Sequence, residues 1–98
     1  RESQLVEEFF AEVASEKGKA AYGLEEVENA AKIGAVKSLM VVDKLLREAS
    51  DEERLKLEDV IHLVESKGGE VTVLSSEHEA GEKILSLGGV AAILRFRV

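Results

Sequence analysis

The residues of this chain best suited to chemistry are its two histidines and the carboxylates beside them. His78 stands between Glu77 and Glu79, a trio that could bind a metal or relay a proton if the three side chains met. Consecutive residues on a helix point in different directions, so these three do not converge. Ser76 and Glu79 also carry the three-residue spacing of a capping box, which already gives Glu79 a structural task. The stretch is therefore read as a surface loop that docks a partner. It follows a strand, and in sheets alternating with helices binding groups gather at the carboxyl ends of strands. Glu58 and His62 stand four apart, a spacing two metal ligands can use, but no HExxH pattern or second nearby histidine completes the set. They read as a solvated helix pair.

Two further motifs invite a functional reading and do not sustain it. Gly88-Gly89 could suggest a phosphate loop, but such loops place glycines between a strand and the following helix. Here the pair lies between a helix and the strand after it, and reads as a turn. Arg95 and Arg97 alternate with Phe96 and Val98, which in a strand puts both arginines on one face. They form either a solvated cap on the sheet edge or a small basic contact site, and two arginines make a weak patch. There is no cysteine nucleophile, no GxSxG elbow and no zinc signature, so no enzyme activity is expected.

The elements that must position these residues are legible from apolar periodicity and glycine punctuation. Residues 2 to 17 predict an amphipathic helix with Leu5, Val6, Phe9, Phe10 and Val13 on its buried stripe. Lys17-Gly18 stops it, and Lys19 to Tyr22 is a short edge piece. Leu24 to Ile33 predicts a second helix, with Glu25 and Glu26 in the first turn, where they complement the helix dipole. Ser38 to Val42, SLMVV, is a continuous apolar run and predicts a central strand covered on both faces. Asp43 to Arg47 is a turn or short helical piece after it.

Ser50 and Glu53 form a second capping-box spacing and predict a helix from Asp51 to Lys67, with Leu57, Val60, Ile61 and Val64 buried. The last third, Glu70 to Val98, organises the rest. It predicts a mostly buried strand around Val71, Val73 and Leu74, a helix opening at Ser76–Glu79, and a strand over Val90 to Val98. Those two strands are expected to pair in one sheet. Helix and strand alternate four times, which predicts an α/β fold: a three-layer α-β-α sandwich around a mixed, mostly parallel four-stranded sheet.

Composition bounds the function. The 98 residues suffice for one domain with one modest core. With no cysteine there are no disulfides or thiolate metal sites, which suits a reducing cytosol. No apolar run approaches the roughly 18 residues of a membrane span, and no signal-peptide pattern is present. Twenty acids against thirteen bases give a net charge of −7. Nucleic-acid affinity needs clustered Lys and Arg to neutralise phosphates, so protein partners are favoured. The chain begins with Arg1 and reads as a piece of a longer polypeptide.

Three stretches together resemble a known family. KAAYGLEEVENAAKIGAVKSLMVVDKLLRE (Lys19 to Glu48) resembles the start of the carboxyl-terminal domain shared by Pelota proteins and the archaeal and eukaryotic class-1 release factors. SSEHEAGEKILSLGGVAAILRFRV (Ser75 to Val98) is similar to the end of that domain, and its EHEAGE wording fits the Pelota branch, of archaeal type. LVEEFF (Leu5 to Phe10) is similar to the lead-in helix.

The resemblance implies the carboxyl-terminal domain (1–98) of a cytoplasmic ribosome-rescue and mRNA-surveillance factor, with the amino-terminal and central domains absent. It implies partners: a translational GTPase, a ribosome-recycling ABC-type ATPase, and the stalk base of the ribosome, each met by a monomer. It implies no membrane and no cofactor in this domain. The divalent metal and endonuclease activity sometimes attributed to the family would belong to the amino-terminal domain. The Gly-Gly-Gln peptide-release motif of release factors is missing, and Gly88-Gly89-Val90 is not a version of it. From topology, the docking candidates are the two loops after strands: Asp43, Lys44 and Arg47 in one, Glu77, His78 and Glu79 in the other.

The fold so implied is also that of ribosomal proteins that bind RNA kink-turns through a G-x-N-E segment and a lysine three residues on. At the matching positions this chain has Gly23, Glu25, Glu26 and Asn29. Glu25 replaces the asparagine and Asn29 the lysine, so two carboxylates oppose an approaching phosphate. Direct RNA binding by this domain is expected to be weak or absent. An RNA-binding module of kink-turn type, using a basic face the sequence does not reveal, is the alternative.

Overall fold

Seven consecutive residues, Val36–Val42 (β2), make the spine of the structure. Leu39, Met40, Val41 and Val42 are fully buried, as an apolar run covered on both faces should be. The computed structural model describes residues 2–98. In chain order these form α1 (Glu2–Ala14), β1 (Ala20–Tyr22), α2 (Leu24–Lys32), β2, α3 (Asp43–Glu48), α4 (Asp51–Ser66), β3 (Glu70–Leu74), α5 (Glu79–Leu85) and β4 (Val90–Leu94).

The strands lie in the order β1-β4-β2-β3. Alternate residues of β2 serve two cores. Leu39 and Val41 join Val27, Ala30, Ala31, Leu57, Val60 and Val64 beneath α2 and α4. Met40 and Val42 join Val6, Phe9, Leu74 and Ile84 beneath α1 and α5. This is the expected three-layer α/β sandwich on a mixed sheet.

Its strand directions differ from expectation. Of the three neighbouring pairs only β2–β3 is parallel, because β4, lying between β1 and β2, runs antiparallel to both. β3 and β4 share the sheet but do not pair, because β2 lies between them. The lengths of the connecting helices account for this. The 16 residues of α4 span roughly 24 Å, enough to return the chain to the far end of the sheet for a parallel strand. The seven of α5 span only about 10 Å, so β4 enters at the end where β3 left. There the Val42 backbone N–H donates to the Gly89 carbonyl at 2.8 Å.

Several predicted boundaries shift. The first helix ends at Ala14, and Val13 is 43% exposed rather than part of the buried stripe. Ile33 lies just past α2 and is exposed. β3 is an edge strand with Val73 half exposed, not a mostly buried one. β4 stops at Leu94, opposite Val36, where its partner strand begins.

Arg95 therefore does not alternate along a strand. Its backbone N–H donates to Ala35 O at 2.7 Å, and Nη2 donates to the Lys67 carbonyl at 2.8 Å, just past the carboxyl end of α4. A cation at the negative end of a helix dipole is favourable, so Arg95 belongs to the fold. Arg97 is exposed beside Gly18.

Candidate docking site

The connections following β1, β2 and β3 and the turn preceding β4 all collect at one end of the sheet. β2 and β3 are parallel and in register from Ser38–Glu70 to Val42–Leu74, so the residues after each emerge side by side. β1 ends beside the start of β4, and the Gly23 N–H donates to Val90 O at 3.0 Å.

Asp43 is the joint of this end. One carboxylate oxygen, Oδ1, accepts from the Ser76 backbone N–H at 2.9 Å. The other, Oδ2, lies 3.2 Å from Arg47 Nη1, one helical turn along α3. The Ser76 amide is the leading cause that holds the Asp43 carboxyl below its ordinary value. Desolvation opposes it as the next largest effect, and the Ser76 hydroxyl and Arg47 add smaller contributions in the lowering direction. The two loops chosen from the sequence are thus brought together, and Asp43 is the residue that ties them.

The second loop departs from the expected capping box. Ser76 does not cap α5: the cap position is His78, with no side-chain cap hydrogen bond, and α5 starts at Glu79. Residues 75–78 instead close a turn in which the His78 N–H donates to Ser75 O at 3.2 Å and the Glu77 N–H to Ser75 Oγ at 3.1 Å. The amide of Ser76 has gone to Asp43, 33 residues away. The box at Ser50 and Glu53 does form, with Glu53 N–H to Ser50 Oγ at 3.1 Å and Ser50 N–H to Glu53 Oε1 at 3.2 Å.

Of the six candidates, Lys44, Arg47, Glu77, His78 and Glu79 are exposed, while Asp43 is partly covered. His78 Nδ1 lies 3.6 Å from Glu2 Oε1 on α1, beyond a firm hydrogen bond. Nothing in the sequence ties Glu2 to that loop, 76 positions away. A shallow cleft of about 390 Å³ beside α3 is bordered by Lys44, Leu45, Glu48 and Leu85. Among the described residues no group of three or more His, Asp or Glu is placed to hold a metal ion. Exposed charges of both signs on a tied pair of loops can make reversible polar contacts with a protein surface.

Glu25 and Glu26 occupy the first turn of α2 at this same end, exposed, with Asn29 exposed a turn later. The carboxylates therefore stand at the positive end of that helix dipole, where a phosphate would have to approach.

The model of the eRF1 domain 3 family matches residues 1–98. The chain belongs to that family. Within it, the similarity runs to Pelota proteins, as the EHEAGE stretch led one to expect. A Pelota homologue from Thermococcus onnurineus is 50% identical over all 98 residues, which cover 27% of that protein. The chain thus spans about a quarter of the length of the curated relatives it matches. Among solved structures, Saccharomyces cerevisiae Dom34 superimposes with a TM-score of 0.95 at 35% identity, over 100% of this chain and 28% of that one. It is described as a translation termination-like factor in RNA quality control that interacts with Hbs1. Archaeal Pelota, in a ribosome-bound structure with ABCE1, superimposes with a TM-score of 0.85 at 50% identity, over 99% of this chain and 26% of that one.

No helix among the described residues is long and apolar enough to cross a membrane.

Proposed function

We propose that this chain is the carboxyl-terminal, protein-docking domain of a cytoplasmic ribosome-rescue factor. It acts without chemistry of its own, as a monomer, within a longer protein that meets the ribosome and a translational GTPase. The observation that carries this reading is the 50% identity, over 99% of the chain, to archaeal Pelota bound to the ribosome with ABCE1. The interaction of Dom34 with Hbs1 supports a GTPase as the second partner. The end of the sheet joined by Asp43 and Ser76 supplies the docking surface for the recycling ABC-type ATPase, through Lys44, Arg47, Glu77, His78 and Glu79. Its mixed charge suits a protein, and the carboxylates at the start of α2 disfavour RNA at that helix.

The test is a pull-down of the chain against a purified ribosome-recycling ABC-type ATPase, with and without Ala at Glu77, His78 and Glu79. Binding that the triple variant loses, with its circular dichroism unchanged, supports the assignment. Equal binding by both proteins removes these three residues from the interface. Binding by neither, repeated on stalled ribosomes with the full-length protein, removes the ATPase as partner.

A further inference from the structure

One part of the α1/α5 face of the sheet is left uncovered. On that face α1 packs against β1, β4 and α5, while α5 packs against β2 and β4. β3 packs on β2 and α4 instead, and a cleft of about 510 Å³ remains between α1 and the first residues of β2 and β3. Ser38 and Glu70, paired across the two strands, and Thr72 form its floor. Glu2 and Glu8 border it from α1.

Three features of the cleft point to a cationic occupant. Among the described residues it is bordered by three carboxylates, Glu2, Glu8 and Glu70, and by no base. Ser38 is the one buried polar side chain among the described residues, at 8% exposure, in a strand whose other residues are apolar and buried except the exposed Lys37. Ser38 lines the cleft. Glu2 Oε1 is buried without a hydrogen-bond partner among the described residues, His78 Nδ1 lying too far to supply one. Buried polar atoms are normally satisfied, and each exception calls for a partner. Carboxylates are pure acceptors and a serine hydroxyl can accept as well. A guanidinium, which carries five N–H donors and no acceptor, is their complement.

We propose that this cleft receives an arginine side chain presented by a segment of a partner protein lying along β3. β3 has a free edge, since it pairs with β2 alone, and an extended segment can follow such an edge while alternate side chains reach one face. The cleft floor lies at the opposite end of β3 from the Asp43–Ser76 loops, and Glu2, which also approaches His78, is the residue the two surfaces share. A phosphate-bearing partner is repelled by the same carboxylates.

The test is a chemical-shift titration of the 98-residue chain with a blocked pentapeptide, Thr-Val-Arg-Val-Thr. A control peptide carries citrulline, which keeps the shape of arginine and removes its charge. The expected result is a set of shifts confined to residues around Ser38, Glu70, Thr72 and the first two turns of α1. The citrulline peptide should bind at least about tenfold more weakly, as loss of a charge-assisted pair implies. Glu70→Gln and Ser38→Ala should each weaken the arginine peptide severalfold. Shifts spread over all acidic faces, equal affinity for the two peptides, no binding, or indifference to both substitutions would each overturn the proposal.

Discussion

The carboxylate of Asp43 accepts a hydrogen bond from the backbone N–H of Ser76 at 2.9 Å, joining the ends of two parallel strands whose residues are 33 positions apart. Replacing Asp43 by Asn removes the charge from this bond and from the Arg47 contact. The Asp43 carboxyl is held below its ordinary value in the folded protein, so its charged form binds more tightly folded than unfolded. A group with a depressed folded pKa stabilises the fold above its unfolded pKa, about 3.9 for Asp. That contribution is lost as pH falls through the lower folded value. Thermal melts of wild type and Asp43→Asn should therefore differ by a constant amount at neutral pH. The gap should narrow below pH ~4.

The two capping-box spacings make a matched experiment. Ser50→Ala removes an acceptor that the Glu53 amide uses and should cost about 1 kcal/mol in urea unfolding, the usual loss for an N-cap serine. Ser76→Ala carries the same motif in sequence but no cap in the structure, and it keeps the amide that Asp43 binds. Its cost should be clearly smaller. Equal costs would mean that the Ser76 hydroxyl contributes as much through Asp43 as a helix cap does.

Gly81 lies inside α5, and replacing a helical glycine with alanine ordinarily stabilises by roughly 1 kcal/mol. Here the sign should reverse. A Cβ at Gly81 would run into the carbonyl of Ser75, so the turn that places His78 must move away. Gly81→Ala is expected to destabilise by about 1–3 kcal/mol, the range for overpacking a closed site. Urea denaturation measures this directly.

Phe9 and Val13 sit four apart on α1 and share the periodicity of an apolar stripe, yet Phe9 is 0% and Val13 43% exposed. Phe9→Ala should cost about 3–5 kcal/mol, the range for emptying a buried aromatic site. Val13→Ala should stay within roughly 0.5 kcal/mol, as surface changes do. Chemical denaturation of the two variants tests whether α1 is held by its middle turns alone.

Much of this molecule was set by short-range pattern. The apolar run of β2, the Ser50–Glu53 cap, the stripe of α4 and the Gly88-Gly89 turn each depend on residues within a few positions, where propensity and spacing act directly. Gly88 and Gly89 both take positive φ in that turn, a conformation glycine adopts freely. The motif likeness of Lys19 to Glu48 and Ser75 to Val98 was equally local, and it led to the family. Tertiary contact decided the remainder. Identical capping spacings at Ser50 and Ser76 diverged because a carboxylate from a distant strand end took the Ser76 amide. Arg95 became a helix-end partner because β4 stops where β2 begins, which leaves its guanidinium beside the Lys67 carbonyl. The direction of β4 followed from the length of α5 relative to the sheet it must cross. These outcomes turn on which distant groups arrive at a given amide or carbonyl, and local spacing carries no record of that.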